Sequence, residues 1–172
     1  PRVVRAFDAG HTTTYADSIW LSTVQYIADN IRDNEYTVFL NPLIDTITEL
    51  HPHFTRPYIL SVLLAPTVNP ESISFMTGNI DIGKRALEIG EKGIAQNCDA
   101  PKIASIVALG ISGKPWEKAE LKNPCTTGEL PYQTAYLADQ LGEREKAYEY
   151  YTIASANSDA PEASRFLALI TK

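Results

Sequence analysis

Gly128-Glu129-Leu130-Pro131-Tyr132 opens the stretch that decides the fold. Gly142-Glu143-Arg144-Glu145 and Asp159-Ala160-Pro161-Glu162 divide the remaining C-terminal residues into three segments. A proline three residues into an apolar segment is compatible with a helix start, where its missing N–H has no intrahelical acceptor. Gly142 ends that helix and the chain runs back from Lys146 to Asn157. Asp159 followed by Pro161 has the form of a further helix start. The spacing predicts helices over about 129–141, 143–157 and 160–171. Small side chains recur where neighbouring backbones would meet: Ala135 and Ala138 on the first helix, Ala147 and Ala154 around Tyr151 on the second. Antiparallel helix pairs with small residues at fixed crossing points mark helical repeat scaffolds. Such scaffolds bind other molecules more often than they do chemistry.

The same period continues towards the N-terminus. Tyr15, Ala16, Ile19, Trp20, Thr23, Val24, Tyr26 and Ile27 fall at three-four spacing and predict a helix from Thr13 to about Ile31. A second is expected over 36–50, its regular part beginning with Asn41 as N-cap and Pro42 at the first helical position. A third runs from Thr55 to about Ala65, a short turn over 70–76, and a fourth helix from Gly78 to Asn97. Asp99-Ala100-Pro101 caps a fifth to about Leu109, Gly110–Pro115 is a break, and 116–121 is a helical turn. No alternation long enough for a sheet occurs, so the class is all-α. Residues 1–12 read as extended or disordered and 13–172 as one helical domain, with insertions near 66–77 and 99–127.

Composition narrows the partners. A chain of 172 residues with 44% hydrophobic and 21% charged residues builds one sizeable core. The formal net charge of −6 opposes nonspecific nucleic-acid binding and a basic membrane-surface patch. No apolar run reaches the roughly 18 residues needed to span a bilayer, and the stretch Tyr58 to Ala65 is too short. No signal peptide is visible; the chain begins at Pro1 without an initiator Met, as expected after loss of an N-terminal segment. Cys98 and Cys125 sit at element boundaries, off the apolar helical stripes where inert thiols are buried. That placement favours a Cys98–Cys125 disulfide and an oxidising compartment over two free thiols.

Ala147, Tyr151 and Ala154 follow the small-aromatic-small order of the second helix of a tetratricopeptide repeat. Ala86, Gly90 and Gly93 take the same three places in the middle of the chain, and Tyr58 stands where a repeat's first aromatic falls. The chain therefore resembles tetratricopeptide-like helical-hairpin repeats, a short right-handed α-solenoid. The Trp-Leu-Gly-Tyr signature of the repeat is degraded here. Tyr15-Ala16-Asp17-Ser18-Ile19-Trp20-Leu21, Val24-Gln25-Tyr26, Pro42–Leu50, Leu121–Cys125 and Tyr150–Ala156 look like a group of uncharacterised bacterial tetratricopeptide-like proteins. That resemblance implies an N-terminal membrane anchor ahead of Pro1, a domain outside the cytoplasm, and no activity to carry over. A cytoplasmic location is the alternative.

Candidate chemistry is sparse. His51 and His53 flank Pro52 but bring no further metal ligand, and read as helix-end histidines at the negative end of the dipole. Asp29, Asp33, Asp45 and Glu49 read as surface. Asp17, inside an apolar stretch, is expected to bond to a neighbouring helix or cap the first one. No Gly-x-Ser-x-Gly motif occurs, and Gly110-Ile111-Ser112-Gly113-Lys114 lacks the upstream glycine and strand of a phosphate loop. No catalytic residue, cofactor or metal is therefore expected. Nine tyrosines and two tryptophans remain. Trp20, Tyr26 and Tyr151 lie in apolar seams. Tyr132 and Tyr136, four apart, together with Gln133, Asp139 and Tyr58, are the expected contacts of a peptide or protein partner, with ordinary packing of the Tyr132–Tyr136 face against the disulfide insertion as the alternative. The expectation is a non-enzymatic interaction scaffold of the bacterial envelope, or else a structural subunit of an envelope assembly, with self-association open. An enzyme accessory role is the weakest reading.

Overall fold

The computed structural model describes residues 11–30, 36–64, 79–112 and 122–171. Among them the chain forms α-helices and no strand. They are α1 (Thr12–Asn30), α2 (Thr37–Leu50), α3 (Thr55–Leu64), α4 (Asn79–Asn97), α5 (Ala100–Ser112), α6 (Glu129–Gln140), α7 (Arg144–Ser155) and α8 (Ala163–Thr171). The chain divides into two compact units, the division falling inside α4 between Ile89 and Gly90. The expected turns at 70–76 and 116–121, the insertion at 66–77 and residues 1–10 lie outside the described residues.

In the first unit α1 packs on α2 and α2 on α3. Ala16, Thr23 and Ile27 are the buried residues of α1, spaced seven and four apart on one face. Ala16 meets Ile47 and Leu50 of α2, with Ile19, Trp20 and Phe54 packed around them. The Trp20 and Phe54 rings meet edge to face, 5.5 Å between centroids. Asp17, expected to cap α1 or bond across to a neighbour, is exposed, and α1 starts five residues earlier at Thr12.

Helix α2 matches the expected 36–50 span, and only the regular start expected at Asn41 differs. It begins at Thr37 and carries Pro42 inside. Proline in a helix interior costs about 3 kcal/mol. Starting early buries Tyr36 and Leu40 beside Ile44 and Ile47. Fully burying side chains of this kind stabilises by about 1.5–3 kcal/mol each, so the two together offset a cost of about 3 kcal/mol. Asn41 is thus free of capping, and its Oδ1 accepts from Ser61 Oγ of α3 at 3.4 Å. Asp45, expected as plain surface, accepts from Arg85 Nη2 of α4 at 2.7 Å, and Arg85 also donates to Glu88 at 2.6 Å.

The second unit contains the decisive C-terminal hairpin. Helix α6 packs on α7, α7 on α8, and α5 on α7. Ala135, Ala138, Ala147 and Ala154 are all buried. Gly90 and Gly93 are buried too. The α6–α7 turn is a Schellman motif: Glu143 N–H donates to Ala138 O at 2.9 Å and Gly142 N–H to Asp139 O at 3.0 Å. This geometry needs a left-handed residue, and Gly142 has φ +80°.

Gly110, expected as part of a break, lies inside α5. A Cβ there would sit 3.0 Å from Thr152 Cγ2 and 3.2 Å from Tyr148 Oη of α7. The glycine marks a close approach of α5 to α7 and does not end the helix. Ahead of it, Asp99 caps α5 as expected, its Oδ1 accepting from Lys102 N–H at 3.1 Å.

Residues 122–128 are tied into this unit from both sides. Cys98 and Cys125 form a disulfide with S–S 2.05 Å. Asp99 N–H donates to Pro124 O at 2.7 Å and Thr126 N–H to Asn97 O at 3.0 Å. From the α7–α8 turn, Asn157 clips Cys125: its Nδ2 donates to Cys125 O at 2.9 Å and its Oδ1 accepts from Cys125 N–H at 3.2 Å. Asp159 accepts from Gly128 N–H at 3.0 Å and Thr127 Oγ1 at 2.8 Å. Burial acts to raise the Asp159 pKa, but these donors and the Asn157 amide outweigh it and hold the carboxyl below its ordinary range.

Two measurements probe this frame. Gly142→Ala forces a Cβ into the left-handed region with nothing within 4 Å to clash. Backbone strain alone should lower unfolding free energy by about 1 kcal/mol in denaturant melts. Removing the bridge by Cys98→Ser with Cys125→Ser opens a loop with sequence separation 27. It should cost about 3.5 kcal/mol by chain entropy, read as a lower urea midpoint for the double variant than for the oxidised chain.

Candidate binding surface

Successive positions four and three apart on an α-helix share one face. On α6 this places Tyr132, Tyr136 and Asp139 in a row, while Gln133 lies about 100° round the helix from Tyr132. The opposite face is fixed by burial: Leu130, Thr134, Ala135, Leu137 and Ala138 turn inward. The row is therefore held by a helix whose other side is fully packed.

Behind the row stands Tyr151 of α7, completely buried. Its ring lies 5.8 Å from that of Tyr132, tilted by 59°. Its phenol is pushed well above its ordinary pKa, first by burial, then by the charge of Asp139 and by Tyr132 and Tyr136. All three row residues thus act on one hydroxyl. Tyr136 is the outward member, with 45% of its surface exposed. Tyr132, Gln133 and Asp139 are half-buried.

The structure brings together three of the five expected partner contacts. Gln133 points off the row. Tyr58 is a correction: it is 0% exposed in the core of the first unit. Its hydroxyl donates to Pro52 O at 3.0 Å, and no partner reaches it. Helix α3 buries Pro57, Tyr58, Ile59, Ser61 and Val62 together, which turns Tyr58 inward. Tyr151, read as core, is core, and its support of Tyr132 is what the sequence reading missed. The signal for it was its place between Ala147 and Ala154, which turns it towards α6.

A second cluster went unforeseen. Glu91 Oε1 on α4 accepts from Lys146 Nζ at 2.7 Å and Tyr150 Oη at 3.1 Å, both on α7. Burial, followed by the Glu91 charge, raises the Tyr150 phenol well above its ordinary pKa. The Glu91 contact raises Lys146. All three groups are satisfied by each other, so the cluster reads as a tie between helices. In the first unit an open groove of about 450 Å³ runs along α1, lined by Tyr15, Ser18, Ile19, Ser22, Thr23, Tyr26 and Leu43. Tyr15 and Val24, expected on the buried stripe, are largely exposed. His51 stacks on Phe54 at 5.5 Å. Among the described residues no group of three or more His, Cys, Asp or Glu side chains is placed to hold a metal ion, and no helix is long and apolar enough to cross a membrane.

Compared with protein-family models, with curated proteins and with solved structures, the chain shows no match.

The tyrosines give a pH test. Tyr58, Tyr150 and Tyr151 have raised phenol pKa values in the folded chain, each chiefly through burial. The unfolded chain releases these protons near pH 10 and the folded chain keeps them. Stability is therefore intact below about pH 10 and falls as pH rises beyond it. Phenolate absorbance of these three should appear only on unfolding. Tyr151→Phe should make the alkaline loss of stability shallower.

Proposed function

We propose that this chain is a non-enzymatic interaction scaffold of tetratricopeptide-like helical hairpins. It binds an extended peptide or a protein segment along α6. The observation that carries this reading is Tyr136, 45% exposed on a helix whose reverse side is fully buried and whose neighbour Tyr132 leans on a buried Tyr151. Amphipathic aromatics held in one rotamer by packing lose little entropy when a partner arrives, which is why they dominate binding surfaces. Supporting the repeat reading are the buried alanines and the Schellman turn of the α6–α7 hairpin. The disulfide supports work in an oxidising compartment, outside the cytoplasm.

A structural-subunit reading has one observation in its favour. Leu169 and Ile170 on α8 are 75% and 61% exposed, a surface that a further packed helix would cover.

Panning displayed random peptides on the chain separates the two. A groove binder should yield peptides whose affinity drops about tenfold or more in Tyr136→Ala, roughly 1.4 kcal/mol. Ile111→Ala, altering another exposed side chain, should leave them unaffected. Binders indifferent to Tyr136 would overturn the assignment of the α6 surface.

A further inference from the structure

We infer that the Tyr132–Tyr136–Asp139 row takes an arginine side chain of the bound segment, with the guanidinium lying on Tyr136 and paired with Asp139. This rests on the reading of α6 as the binding surface and adds the chemistry of what it selects.

Asp139 belongs to the last turn of α6, which has no basic residue of its own. A carboxylate there faces the negative end of the helix dipole, the end that favours cations. Among the described residues no Lys, Arg or His pairs with it. The nearest other charge in sequence, Glu143 at the start of the next turn, has the same sign and is exposed. The fold thus gains nothing visible from this carboxylate and keeps it half-buried beside aromatic rings. A negative charge without a cationic neighbour, on the same helix face as Tyr132 and Tyr136, is a site for a cation, since both the charge and the ring quadrupole attract it. Arginine suits the site better than lysine. Its flat guanidinium stacks on a tyrosine ring while its N–H fork reaches a carboxylate. An acidic segment is disfavoured twice, by Asp139 and by the chain's net charge of −6.

The test uses peptides selected by panning random displayed peptides on the intact oxidised chain. The expected result is an enriched arginine whose replacement by citrulline, equal in shape and uncharged, weakens binding at least fivefold. Asp139→Asn should weaken the parent peptide by a similar factor. Citrulline and Asp139→Asn together should cost no more than either alone, because both remove one contact. Binding should also weaken as salt rises. A structural role is separated by thermal melts: Asp139→Asn should leave the melting temperature unchanged or raise it, since the carboxylate opposes the dipole. Peptides that need Tyr136 yet show no arginine enrichment, or are acidic, or bind the D139N variant equally well, overturn this inference and leave the α6 surface standing. Peptides that ignore Tyr136, or no peptides at all, overturn both.

Discussion

Close approach of α7 to its neighbours is the constraint on which the second unit depends. Helices separated by large side chains leave room for solvent and for alternative rotamers; helices meeting at alanine or glycine do not. On α7, Ala147 and Ala154 are buried, and α6 offers Ala135 and Ala138, also buried. On the other side Gly110 lets α5 come within contact of Thr152 and Tyr148. With backbones this near, Tyr151 has one place to go. It fills the seam and becomes the wall against which Tyr132 leans. The shape of the α6 surface is therefore set by the smallest residues of the hairpin and only displayed by its tyrosines.

The disulfide has a different place in this scheme. It closes a segment, 122–128, that is already held by backbone pairing to Asn97 and Asp99 and by the side chains of Asn157 and Asp159. Native contacts of that kind act on the folded state. A covalent link acts mainly on the unfolded chain, by denying it conformations. The two contributions are thus nearly independent, and the entry of the chain into α6 is fixed by both.

Much of this was legible in the sequence because it depended on local periodicity. The α6–α7 turn followed from Gly142, the cap of α5 from Asp99, and the all-α class from the three-four spacing throughout. The misreadings share one cause: long-range packing overruled a local signal. Pro42 indicated a helix start, yet burial of Tyr36 and Leu40 drew the helix past it. Gly110 indicated a break, yet its lack of a side chain served α7. Tyr58 carried the look of a contact residue, but α3 turned it into the core. On α6 the row of Tyr132, Tyr136 and Asp139 was readable by spacing alone. Tyr151 was not, because its role depends on which helix lies opposite.

Two aspartates in the same unit show how a structure separates support from recognition. Asp159 is surrounded by donors: a backbone N–H, a hydroxyl and a side-chain amide. Each was brought there by the fold, and the fold holds the carboxylate ionised in return. Asp139 has the same chemistry twenty positions earlier, yet among the described residues no cationic side chain meets it, and the dipole of its own helix opposes it. Such a half-exposed carboxylate is solvated in the free chain and is open to a cation that a partner brings. On the reading proposed above, that cation is one with a flat face, lying on the half-exposed Tyr136; the two carboxylates differ in that donors of the fold surround Asp159 and no cationic side chain among the described residues meets Asp139.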